Sequence, residues 1–83
     1  MQVTLKLFAT LSDYLPPHAV RNAIEVTAAD GASVRDLLEA HRVPLPQCHL
    51  ILVNGVYAAP ARAGEKRLSP GDTVSVWPPV AGG

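Results

Sequence analysis

The chain has 83 residues, enough for one domain with a modest core and too few for a second catalytic domain. Apolar residues make up 48% and charged residues 17%, which fits a globular chain and argues against disorder. Seven Lys and Arg balance seven Asp and Glu, so the formal charge is zero and the basic face that nucleic-acid binding requires is not expected.

At the N-terminus, residues 2–8 (QVTLKLF) alternate, with Val3, Leu5 and Leu7 on one side and Thr4, Lys6 and Phe8 on the other. That period of two predicts a half-buried strand and leaves Phe8 on its polar face. Lys6 interrupts the stretch where a signal peptide keeps an unbroken apolar region, so export is not indicated and the cytoplasm is the expected location. Residues 9–17 allow one helical turn before Pro16 and Pro17 stop it. A second strand is predicted over residues 22–27, with Ile24 and Val26 inward.

Asp30-Gly31 supplies a turn, and Ser33 followed by Asp36 approximates a capping box, with Asp in place of the usual Glu. Val34, Leu37, Leu38 and His41 then follow at i, i+3, i+4 and i+7, the stripe of a helix of about two and a half turns. Pro44 forbids its continuation, and a loop is expected over residues 44–47. Residues 48–53 form an apolar strand, Asn54-Gly55 favours a two-residue hairpin, and Val56 and Tyr57 begin the return strand. Residues 60–68 are a charged irregular stretch, read as a solvated loop. Pro70-Gly71-Asp72 turns the chain into a final strand over residues 73–77, with Val74 and Val76 inward and Trp77 outward beside Thr73 and Ser75.

One helix among five strands can cover only one face of a mixed sheet, so an α+β, two-layer β-grasp is expected. The apolar run HLILVNGVYAAPA is broken by Asn54, Gly55 and Pro60, short of the roughly 20 residues of a membrane span, and no membrane association is expected.

Catalytic constellations are nearly missing. No G-x-S-x-G elbow, phosphate-binding loop or H-E-x-x-H zinc helix occurs. Cys48 is the single cysteine, so neither an internal disulfide nor a multi-thiol metal cluster can form, and an inert core thiol is expected. Cys48 and His49, read as neighbours in a strand, point to opposite faces and cannot act as nucleophile and base. His41 suits capping or packing at the helix end, and His18 follows two prolines in a loop. No metal site and no bound cofactor are expected.

The chain closes on VWPPVAGG. Pro78 and Pro79 offer no N–H, so sheet pairing must fade at Trp77 and the chain must leave as a polyproline-type rod. The division is therefore a body over residues 1–77 and a tail over residues 78–83. Pro78, Pro79, Val80, Ala81, Gly82 and Gly83 can together reach about 19 Å, enough to enter a deep cleft. Gly82 and Gly83 pass where no Cβ fits, and the ionised terminal carboxylate of Gly83 can attack an activated phosphate supplied by another protein. The structural alternative is that chain ends fray and gather glycine.

WPPVAGG, the PGDTVSV strand before it, the VNG hairpin and the opening VTLKLFATL together resemble the small sulfur carriers of the molybdopterin synthase small subunit and thiazole-carrier family. The likeness spans the whole chain and is sharpest at PPVAGG, on the side of the molybdopterin synthase small subunit. It implies a ubiquitin-like β-grasp and a carrier rather than an enzyme. It also implies a cycle in which an adenylating enzyme joins AMP to Gly83 using ATP and Mg. Sulfur from a sulfurtransferase or cysteine desulfurase then leaves a thiocarboxylate. In the molybdopterin case the tail, residues 78–82 with Gly83, inserts into a large synthase subunit, typically in a heterotetramer with two small subunits. The resemblance further implies docking through an apolar patch on the open sheet face, at Phe8, Tyr57 and Trp77. One departure is Ser12-Asp13, where the family often carries an Arg followed by an acidic residue. Delivery to thiazole, tRNA or another metabolite stays open, as do a ubiquitin-like modifier and a noncovalent interaction module.

Overall fold

Val3, Leu5 and Leu7 are buried while Gln2, Thr4 and Lys6 are not, so the alternation of the opening segment becomes strand β1 (Gln2–Leu7). The computed structural model describes residues 1–79. The expectations for Val80, Ala81, Gly82 and Gly83 fall outside the described residues. Strands β2 (Ala23–Thr27), β3 (Leu50–Val53), β4 (Val56–Tyr57) and β5 (Thr73–Trp77) complete a five-stranded sheet in the order β2-β1-β5-β3-β4. β1 and β5 run parallel, and every other pairing is antiparallel.

Among the described residues one α-helix, α1 (Val34–Ala40), lies in the crossover between β2 and β3. Val34, Leu37 and Leu38 join Val3, Leu5, Leu7, Ile51, Val53, Val74 and Val76 in one buried cluster. The helix therefore covers one face of the sheet, the α+β, two-layer β-grasp arrangement. Each such Leu or Val buried contributes about 1.5–3 kcal/mol, so these positions dominate stability.

The helix is held at both ends by local chemistry. The Ser33 hydroxyl accepts the Asp36 N–H (3.1 Å), and the Asp36 carboxylate accepts the Ser33 N–H (2.9 Å), a complete capping box. The Ser33 backbone N–H, and then its hydroxyl, hold the Asp36 carboxyl below the usual carboxylate range. At the other end the helix stops before Pro44. Arg42 turns left-handed (φ 60°), its N–H donates to the Glu39 carbonyl (3.0 Å), and the Val43 N–H donates to Leu38 (2.9 Å). This pairing is a Schellman motif closed by buried Val43 and Leu38. His41 serves through its backbone N–H, which donates to Leu37 and Leu38 (3.3 and 3.2 Å), and Val43 takes the core position expected for the imidazole.

Several segments differ from the sequence expectation. Residues 9–14 form a 3-10 helix (Ala9–Tyr14) rather than a single turn, anchored by fully buried Leu11. Val20 and Ala23 exchange backbone hydrogen bonds (3.0 Å each) across Arg21 and Asn22, both left-handed at φ 53° and 64°. Asn22 is thus a turn residue, not the start of a strand, and the turn lacks the glycine that would mark it.

The charged stretch is the largest correction. The carbonyls of Lys66 and Ala63 accept the N–H groups of Val34 (2.9 Å) and Arg35 (3.0 Å), and Leu68 N–H donates to Ala32 (2.8 Å). Residues 60–68, including the 3-10 helix Pro60–Arg62, therefore close off the helix N-terminus, with Ala63 and Leu68 buried. Its charges are solvated, but its backbone is structural.

Candidate functional site

The helix covers one side of the sheet, so the composition of the other side decides what can meet it. Residues paired across a ladder share a face. Lys6 pairs Ala23 on one side and Ser75 on the other, Ser75 pairs Leu52, and Leu52 pairs Tyr57. Val20 extends this row through its bridge to Ala23. A second row lies toward the end of β5: the Phe8 N–H donates to Val76 (3.1 Å), Trp77 pairs Leu50, and the Phe8 and Trp77 rings stack with centroids 4.4 Å apart and planes 5° from parallel. Such a pair contributes about 0.5–1.5 kcal/mol beyond its buried area and fixes both rings.

The open face is therefore apolar in a band running from the Phe8–Trp77 stack through Leu50 and Leu52 to Tyr57. Val20 is 69% exposed at one end of its row and Tyr57 61% exposed at the other. Phe8, Leu50, Leu52 and Trp77 are half-buried, so the open face keeps apolar surface in contact with solvent.

The last strand leaves the sheet from this band. The Trp77 carbonyl accepts the His49 N–H (2.9 Å), and Pro78 and Pro79 follow without an N–H to offer. Because β5 lies between β1 and β3, the exit is central, with Phe8 on one flank and Leu50 on the other. Pro78 is half-buried and Pro79 exposed.

At the opposite end of β5 the chemistry is polar. Ser69 to Asp72 form a turn with Gly71 at φ 86°, and the Asp72 N–H donates to the Ser69 carbonyl (3.1 Å). The Asp72 carboxylate accepts the Ser69 N–H (2.8 Å) and the Asn54 side-chain amide (2.9 Å), while the Asn54 side-chain oxygen accepts the Thr73 N–H (2.8 Å). The Ser69 N–H, then the Asn54 amide, hold the Asp72 carboxyl below the usual carboxylate range. Asn54 (φ 51°) and Gly55 (φ 82°) form the expected two-residue hairpin, so Asn54 both turns β3 into β4 and ties that hairpin to β5.

Phe8 and Trp77 are brought into direct contact, and Tyr57 lies on the same face, reached through Leu50 and Leu52. Those two leucines were not anticipated: in the unbroken run HLILV both faces are apolar, and only the ladder orients them. Cys48 and His49 precede β3 rather than lying in it, because a 3-10 helix (Leu45–Gln47) occupies the expected loop and Cys48 caps it. Cys48 is buried, its thiol 3.5 Å from the Pro44 carbonyl, and burial pushes its pKa up; His49 is exposed. The thiol is thus a core residue. Among the described residues no group of three or more His, Cys, Asp or Glu is placed to hold a metal ion, and no helix is long and apolar enough to cross a membrane.

A family model described as Mut7-C ubiquitin matches residues 1–82. No curated protein matches the chain. Among solved structures, the HVO 2177 protein of Haloferax volcanii shares 30% identity with a TM-score of 0.74, over all of this chain and 87% of that one. SAMP1 of the same organism, its small archaeal modifier protein 1, shares 27% with a TM-score of 0.68 over the whole of both chains. A putative molybdopterin converting factor subunit 1 of Pyrococcus furiosus shares 28% with a TM-score of 0.66, over 95% of this chain and 98% of that one. The β-grasp expected from the element order, and ubiquitin-like by the resemblance, is the fold this chain shares with these relatives.

Proposed function

The chain belongs to the Mut7-C ubiquitin family, and on that ground we propose that it is a sulfur carrier, loaded at Gly83 and delivering sulfur for molybdopterin synthesis as a small synthase subunit. The observation that carries this reading is the exit of β5: its last pairing strand residue, Trp77, is followed by two prolines and a short Val-Ala-Gly-Gly end, at the margin of an exposed apolar band. Residues 1–77 act as the body and residues 78–83 as the tail. The body docks, and the tail reaches.

The chemistry asked of this chain is small. The terminal carboxylate oxygen attacks the α-phosphorus of ATP, held with Mg by an adenylating partner, and pyrophosphate leaves. The persulfide of a sulfurtransferase or cysteine desulfurase then adds to the acyl carbon and AMP leaves; a second thiol reduces the acyl disulfide so formed, ending in a disulfide with the donor's sulfur, and a thiocarboxylate remains on Gly83. No side chain here needs to act as acid, base or nucleophile, which agrees with the inert burial of Cys48. Pro78, Pro79, Val80, Ala81 and Gly82 carry that group into a large synthase subunit, while Phe8, Tyr57 and Trp77 anchor the docking face. The Pyrococcus relative's description as a subunit 1 supports a second subunit as partner.

Intact mass spectrometry after co-expression with the cognate adenylating and sulfur-donating enzymes tests this. The expected product carries one oxygen-to-sulfur exchange, lost when Gly83 is removed; an unmodified terminus overturns the reading. The relation to a small archaeal modifier protein favours a second reading, in which the activated Gly83 ends in an isopeptide bond to lysine. Gly83-linked lysine peptides in a digest of cell extract, without thiocarboxylate, select that reading.

A further inference from the structure

Among the described residues of the five strands, Lys6 is the one cation on the open face, set between small residues and beside the aromatic stack. Lys6 lies in the row that begins at Val20 and ends at Tyr57, between Ala23 and Ser75, and is two residues along β1 from the stacked Phe8. Rows so spaced are about 7 Å apart, so a protein surface that engages the Phe8–Trp77 stack and reaches toward Val20 must cover Lys6, while one that follows Leu50 and Leu52 to Tyr57 has Lys6 at its edge. Among the described residues Lys6 has no ion-pair partner; the only carboxylate on the same face of β1 and β2, Glu25, pairs with Thr4 one row further back. Covering an ammonium group without a matching charge is strongly unfavourable, whereas matching it fixes register and speeds encounter.

We propose that Lys6 is the specificity determinant of this face, and that its partner is a protein presenting an Asp or Glu carboxylate at the lip of an apolar socket for the Phe8–Trp77 stack. The inference rests on the reading above, in which an adenylating enzyme is one such partner. The aromatic pair supplies holding power, and Lys6 sets which surfaces are accepted and in what orientation. A second copy of this chain is a poor occupant, since it brings a second unpaired Lys6 into the same dry contact.

The test is ATP–pyrophosphate exchange by the cognate adenylating enzyme, with KM for the full-length chain measured at low and high salt. Lys6→Glu is expected to raise KM about tenfold or more and Lys6→Gln about threefold, with kcat unchanged. Lys6→Gln should also flatten the salt dependence, and Lys6→Arg should restore both. Lys66→Gln, which removes the only other lysine at an exposed site in residues 60–68, should behave as wild type. Circular dichroism melts identify any variant that fails to fold, in which case Lys6→Gln and Lys6→Arg decide. Equal KM values for wild type and Lys6→Gln at both salt concentrations overturn the proposal, as does an equal loss in Lys66→Gln. Absence of exchange with wild type fails the sulfur-carrier reading itself, and a dimer in sedimentation that Lys6→Glu dissolves shows a second copy as the occupant and overturns it too.

Discussion

The two ends of β5 are built from opposite materials. Where the strand begins, Asp72, Asn54, Ser69 and Thr73 satisfy one another through hydrogen bonds of 2.8–2.9 Å, and no large apolar group is involved. Where it ends, backbone bonds from Phe8 to Val76 and from His49 to Trp77 close the pairing, and the surroundings are two stacked rings and Leu50. The first end ties its polar groups to one another. The second leaves apolar groups half-exposed to solvent at the point where the chain departs. In the proposed reading, stability and recognition fall to different ends of one strand.

That assignment can be broken at either end. Removing Gly82 and Gly83 is expected to abolish adenylation altogether while leaving the thermal midpoint of the body unchanged, since the buried cluster lies within residues 1–77. Pyrophosphate exchange and a calorimetric melt on the same sample read both halves. Next in size, Trp77→Ala should raise KM for activation by about tenfold to a hundredfold, as truncation of a central aromatic does at protein interfaces. Its effect on stability should be limited to about 1 kcal/mol from the lost ring pair.

The converse change sits at the other end. Asn54→Ala deletes two hydrogen bonds and places alanine at φ 51°, and a loss of about 1–2 kcal/mol in the unfolding free energy from urea titration is expected, with KM unaltered. The smallest effect concerns pH. Asp36 and Asp72 are both held below the carboxylate values of an unfolded chain, so the unfolded state takes up protons first as pH falls. Their contribution is complete above the unfolded value of about 4 and disappears as pH falls through the folded values. Replacing Asp72 with Asn should shift the acid-unfolding curve of the body and leave the neutral plateau lower and flatter. A variant curve parallel to wild type across that window would show that the clasp carries no charge linkage.

Much of this was legible in the amino-acid sequence, and the unread parts share a cause. β5 was readable to the residue because Pro70-Gly71 opens it and Thr73 to Trp77 alternates cleanly. The Phe8 and Trp77 orientations followed from the same period. Residues 60–68 were read as solvent-facing because their side chains are charged, yet they act through backbone carbonyls that side-chain identity does not reveal. Arg21 and Asn22 turn the chain without glycine. Leu50 and Leu52 sit in a run with no polar residue to orient it. Lys6 was visible as an outward lysine, but its isolation emerges only when Ser75, Ala23 and the two apolar ends are laid beside it.

The chain has one tryptophan, and it is the residue held against Phe8 where β5 departs. Its emission therefore reports on a single place, the junction between body and tail, with no second indole to dilute the signal. Association of a partner there should alter intensity and wavelength without any attached dye, so that arrival and departure can be timed in a stopped-flow cell on the unlabelled molecule.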